Sequence, residues 1–226
     1  MTWILDNLDL ILSLTIEHLR QSGIAIVLSF VLAIPLGALA WRFRLVRGGI
    51  ITLTSLLYTI PSIALLVLVP TALGISLLSE FNLILALTLY GIALMVRSVA
   101  EGLDSVDDDV RLAAVAMGYG PLRRFATVDL PLAGPVILAG LRVTSVSTIA
   151  LATVGALIGT SNLGYLFTNG YQRRITEEIL SGIVAVVIVA LVIDLLLVLA
   201  GRFVLPWARA ATTAGTRIAV TTGAAA

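Results

Sequence analysis

The chain has 226 residues, 59% hydrophobic and 12% charged, with 14 basic against 13 acidic side chains and a mean hydropathy of +1.10. That exceeds what a soluble core of this length needs, and the apolar residues fall in several runs of about 20 or more, enough to cross ~30 Å of hydrocarbon. All 14 basic residues are arginine and cysteine is absent. This excludes a phosphate-loop lysine, thiol nucleophiles, disulfides and cysteine–zinc sites. No catalytic residue, metal site, bound cofactor or nucleic-acid surface is expected.

Residues 1–20 place Ile4, Leu8, Leu12, Ile16 and Leu19 on one helical face and Asp6, Asp9, Ser13, Glu17 and Arg20 on another, the pattern of an amphipathic helix in the membrane interface. Acids interrupt every turn and no small-residue cleavage site follows, so the segment reads as retained helix and not as a signal peptide. His18, the single histidine, lies in this polar-faced stretch and is expected to be an ordinary surface residue rather than a ligand or base.

Five spans are predicted, at about 21–41, 49–73, 81–101, 132–160 and 180–204. With the connection between spans three and four cytoplasmic, Arg42, Arg44, Arg47, Arg111, Arg123, Arg124, Arg202, Arg209 and Arg217 lie inside and only Arg20, Arg173 and Arg174 outside. The arginine asymmetry thus puts the N-terminus outside and the C-terminus in the cytoplasm. In span two, Pro61 deprives the Leu57 carbonyl of its usual donor, and Tyr58, Thr59 and Ser62 surround the kink; the stretch suits a gate or a simple packing kink. Arg97 and Glu101, four apart at the end of span three, form a local helix pair. Arg97 and Arg142 are expected near cytoplasmic span ends, within reach of the headgroups.

Between spans three and four, EGLDSVDDDVRLAAVAMGYGPLRRFATVDLPLAGP carries a short helix signal. Asp107 to Asp109 cap its start, Val110, Ala113, Ala114 and Met117 share a face, and Gly118 and Gly120 with Pro121 end it. Such a helix suits docking into a groove of another protein or resting on the membrane surface.

This loop resembles the cytoplasmic signature of ABC importer permeases, Glu-Ala-Ala, three residues, Gly, nine residues, Ile-x-Leu-Pro. Here Ala113-Ala114 lead after three residues to Gly118, and after nine more to Val128-Asp129-Leu130-Pro131, with Leu112 where the family commonly has glutamate. In that family the loop forms a coupling helix seated in a cleft of the ATPase subunit. The resemblance therefore implies an ATPase-coupling role for Leu112, Ala113, Ala114, Met117, Gly118, Val128, Leu130 and Pro131, without a charge contact at Leu112.

The resemblance covers about residues 20–205. YTIPSIALLVLVP, LRVTSVSTIALATVGALIG and GTSNLGYLFTNGYQRR look like the subgroup importing glycine betaine, choline, carnitine or proline betaine, with methionine- and phosphonate-type importers as relatives. It implies an all-α integral membrane fold, a type I importer permease bundle of about five transmembrane helices. Its parts are an interfacial helix at 1–20, a permease domain at 21–205 with a coupling loop at 104–131, and a disordered cytoplasmic tail at 206–226. The implied partners are two ATPase subunits, which would bind ATP and Mg²⁺, a second permease (itself or a paralogue), an extracytoplasmic solute-binding protein and lipid. The cell membrane is the implied location.

Span four carries Gly140, Thr144, Thr148, Ala152, Ala156 and Thr160 at four-residue intervals, a small-residue stripe suited to close helix packing. Thr144 and Thr148 are also pathway candidates. The external stretch after span four offers Tyr165, Tyr171, Arg173 and Arg174. This composition suits protein contact at a membrane surface, and the resemblance implies contact there with the solute-binding protein. Asp194 is the single acid deep within a span. It needs protein or water beside it, as a substrate-cation contact, as a carboxyl fixing span packing, or as the ion site of a self-sufficient secondary transporter.

Overall fold

The structure is a computed structural model describing residues 2–207, so most of the tail expected at 206–226 lies outside the described residues. Among these there is no strand; the elements are α1 (Thr2–Asp6), α2 (Leu8–Arg42), α3 (Arg44–Thr59), α4 (Ser62–Leu73), α5 (Glu80–Asp104), α6 (Asp108–Ala116), α7 (Pro121–Arg124), a π-turn (Phe125–Asp129), α8 (Leu130–Ala152), a 3₁₀ stretch (Thr153–Ile158), α9 (Gly164–Arg173) and α10 (Thr176–Val204). Four helical runs are long and apolar enough to cross a membrane: α2, α5, the run from Pro121 to Ile158, and α10. The α3–α4 pair passes the same test of length and hydropathy only when taken together and is bent by 110°, the shape of a broken span or a re-entrant loop.

The amphipathic segment divides at Asn7, between α1 and α2, and from Leu8 onward it continues without a break at residue 20 into span one as the 35-residue helix α2, about 52 Å long. Its inward face is small and polar: His18, Gln21, Ser22, Ala25, Ser29, Ala33, Gly37 and Ala40 are buried. Leu8, Leu12, Ile16 and Leu19 are open on the opposite side. In lipid, helices meet through small side chains and turn their large apolar ones outward. An apolar stripe alone therefore does not separate an interfacial helix from the outer face of a span.

Helix α5 is the centre of the bundle, packed on α2, α3, α4 and α8. Met95, Val96, Val99, Ala100 and Leu103 are completely buried. A Cβ on Gly91 would lie 2.6 Å from the Cβ of Ser29, so only glycine lets α2 and α5 approach this closely. Helix α10 rests on α8 and α9 and turns Leu180, Val184, Val187, Leu191 and Leu195 outward, a surface that only lipid or another apolar chain can cover.

His18 is not a surface residue. It is fully buried, with Nε2 3.0 Å from the Ile149 carbonyl of α8. Close by, Asn162 donates to the Gln21 side chain (3.1 Å) and the Ala152 carbonyl (2.9 Å) and accepts from the Gly164 N–H (2.8 Å). These bonds tie the turn between the 3₁₀ stretch and α9 to α2, and they meet the rule that buried polar groups find partners.

Candidate functional site

The loop between α5 and α8 forms the helix its capping residues predict. Asp107 accepts from the Asp109 N–H at 2.8 Å, starting α6. Gly118 ends the segment at φ +83°, a left-handed conformation that glycine adopts without strain. The helix lies open, with Leu112 66% and the adjoining Met117 69% exposed and Val110 and Val115 also outward, and Leu122 of α7 is 83% exposed. The expected face divides: Val110, Ala113 and Met117 point out, while Ala114 is buried. The outward apolar surface is built from Leu112, Val115 and Met117 instead. Val128, Leu130 and Pro131, at the entrance to α8, are half-buried.

What holds the segment is a charge cluster that the loop's spacing does not reveal. Asp129 is fully buried, and its two oxygens accept from Arg111 Nε at 3.1 Å and Arg124 Nε at 3.2 Å. Arg111 also donates to Asp108 at 2.7 Å and to the carbonyl of Leu103, and its guanidinium stands 5.1 Å from the Trp41 ring centroid. A buried carboxylate requires such partners. The available signal was the lone acid in FATVDLPLAGP beside two nearby arginines.

The candidate gate is a clean break. Ile60 and Pro61 are extended, with ψ of 128° and 137°. The Leu57 carbonyl is not stranded as expected, because it takes the Ile60 N–H at 3.3 Å. The Ile60 carbonyl instead accepts the Tyr90 hydroxyl of α5, and Tyr58 meets Tyr90 edge-on with ring centroids 5.8 Å apart. Tyr58, Thr59 and Pro61 are exposed and Ser62 half-buried. Broken spans of this kind are stable only where another element satisfies the freed backbone groups, and here Tyr90 does so.

Thr144 and Thr148 are both buried within the chain, on the packing side of the small-residue stripe. Arg142 is not at a span end either. It lies midway along α8, where Nε and Nη2 donate to the two oxygens of Asp194 at 2.7 and 2.8 Å. Both oxygens of Asp194 are thus engaged by Arg142. Arg97 and Glu101 pair at 2.8 Å.

The stretch expected as an external loop is mostly helix, α9. Tyr165, Tyr171, Arg173 and Arg174 are all exposed, Tyr171 by 79%. Arg174 closes α9 in the left-handed conformation, φ 58°.

A profile of the family described as "Binding-protein-dependent transport system inner membrane component" matches residues 25–210. The chain is 35% identical over 192 residues to the choline transport system permease protein OpuBB of Bacillus subtilis (strain 168), covering 85% of this chain and 87% of that one. It is 33% identical over 206 residues to the glycine betaine/carnitine/choline transport system permease protein OpuCB of the same organism, covering 91% and 94%. Among solved structures, its fold is similar to that of a chain of the inward-facing MetNI methionine ABC transporter. The TM-score is 0.77 at 22% identity, across 87% of this chain and 97% of that one.

Proposed function

The chain belongs to the family of binding-protein-dependent transport system inner membrane components, and from that premise we propose that it forms the translocation pathway of an ATP-driven importer for quaternary-ammonium compatible solutes. It is a multi-pass inner-membrane permease of the ABC importer type. The cargo class comes from its relatives, which handle choline, glycine betaine and carnitine. The observation that carries the mechanism is α6: an amphipathic helix held at its base, with Leu112, Val115 and Met117 uncovered at the position where the family's loop meets an ATPase.

In this reading two such permeases, identical or paralogous, enclose the pathway, and two ATPase subunits bind ATP and Mg²⁺ and receive the α6 helices. Closure of the ATPases moves α6 and switches the side toward which the paired spans open. The N-terminus and α9 face outward, where Tyr165, Tyr171, Arg173 and Arg174 meet the solute-binding protein. That partner recognises the quaternary ammonium, by cation–π attraction, and this chain provides passage.

The test is ATP hydrolysis by the reconstituted complex with its binding protein. Hydrolysis rises when that protein is loaded with glycine betaine, choline or carnitine and stays basal with methionine. A rise with methionine alone would reassign the cargo.

A further inference from the structure

Asp129 terminates the π-turn, a rare, wide turn that recurs at functional sites. Four elements converge on its carboxylate and on the guanidinium bound to it. Arg111 belongs to α6 and Arg124 to α7; through Arg111 the cluster reaches the Leu103 carbonyl in the last turn of α5 and Trp41 in the last turn of α2. Helix α6 has little else to fix it, since Ala114 is its single buried residue.

We infer that Asp129 is a positioning residue, the joint through which movement of α6 is delivered to the spans. This rests on the ATP-driven reading and adds to it which side chain a docked helix pushes against. A shift of α6 carries Arg111 with it, and Arg111 is bonded at once to the entrance of α8 and the end of α5, two helices packed along their length. An asparagine cannot replace the carboxylate, because it carries no charge and its amide turns a donor toward one of the two guanidinium groups, which breaks that hydrogen bond.

The experiment uses the full complex in proteoliposomes. The chain lacks cysteine, so Ala116→Cys, at an exposed α6 position outside the named docking residues, gives this chain a single site for a spin label. In Asp129→Asn the ATPase still co-purifies, the label becomes more mobile, and glycine betaine moved per ATP falls about tenfold, within the range by which network residues alter coupling. Asp129→Glu recovers most of the loss. Arg111→Met reproduces it, and adding Asp129→Asn to Arg111→Met costs little more.

Wild-type label mobility and transport per ATP in Asp129→Asn would overturn the inference. So would loss of the ATPase from the Asn and Glu variants alike, because the carboxylate would then only fold the loop. If the wild-type complex moves no glycine betaine or choline, the importer reading fails by itself. Label mobility then still decides whether Asp129 holds α6: raised in Asp129→Asn it does, unchanged it does not.

Discussion

Arg142 and Asp194 face each other across the α8–α10 contact in a two-bond pairing, guanidinium to carboxylate at 2.7 and 2.8 Å. Because the stretch of α10 from Ile183 to Ala200 is otherwise apolar and largely uncovered by the chain, this pair fixes the register of its middle, as the Asn169–Glu178 bond at 2.6 Å does at its start. Asp194→Asn and Arg142→Leu should each reduce the yield of assembled permease severalfold, since each leaves one charged or polar partner stranded. The Arg142→Leu/Asp194→Leu double variant should recover much of it. Fluorescence-detected size exclusion of the four proteins checks this, and a double variant worse than both singles contradicts it.

Tyr90 holds the Ile60 carbonyl at the break between α3 and α4. Tyr90→Phe keeps the ring contact with Tyr58 and removes the donor, so it should cost about 1–3 kcal/mol. The expected readout is a lower denaturation midpoint in detergent together with slower uptake. An unchanged midpoint would mean that the backbone break needs no such support.

Asn162 serves three partners at once. Asn162→Ala strands them, at about 1–3 kcal/mol for each one buried without water, and should lower the yield of folded chain far more than a surface substitution does. Expression followed by thermal denaturation measures this.

Leu112 is outward on α6. Leu112→Glu should leave folding within about 0.5 kcal/mol, as exposed substitutions do, and should retain ATP-driven uptake, because the family commonly has glutamate there. Loss of the ATPase on purification would show that the apolar side chain itself makes the docking contact.

On the other face, Tyr171, Arg173 and Arg174 are open. Arg173→Glu together with Arg174→Glu should raise the binding-protein concentration for half-maximal ATPase stimulation about tenfold and steepen its salt dependence, since rim charges govern encounter. Selectivity among solutes should not move, as recognition is assigned to the partner.

What was legible in the sequence was local. The α6 helix could be read from Asp107 and Gly118, whose roles depend on residues a turn away, and the apolar runs revealed the spans because hydrocarbon imposes their length. What escaped came from distant pairings. His18 was assigned to the surface because its partner, Ile149, is 131 positions on, and Asp194 appeared solitary because Arg142 is 52 positions away. The bend at Pro61 is visible as a kink, but not its 110° or the bond from Tyr90 to the Ile60 carbonyl, 30 residues away. No helix break falls between 1–20 and 21–41, because α2 runs without interruption from Leu8 to Arg42.

The central claim, import driven by ATP through α6, is tested most directly by uptake of radiolabelled glycine betaine and choline into vesicles containing this chain, its ATPase and its binding protein. Wild type is compared with Gly118→Asp and with vesicles lacking the ATPase. The account predicts uptake that requires ATP and the ATPase and is lost in Gly118→Asp while the subunits remain assembled. Uptake that persists without the ATPase would contradict it.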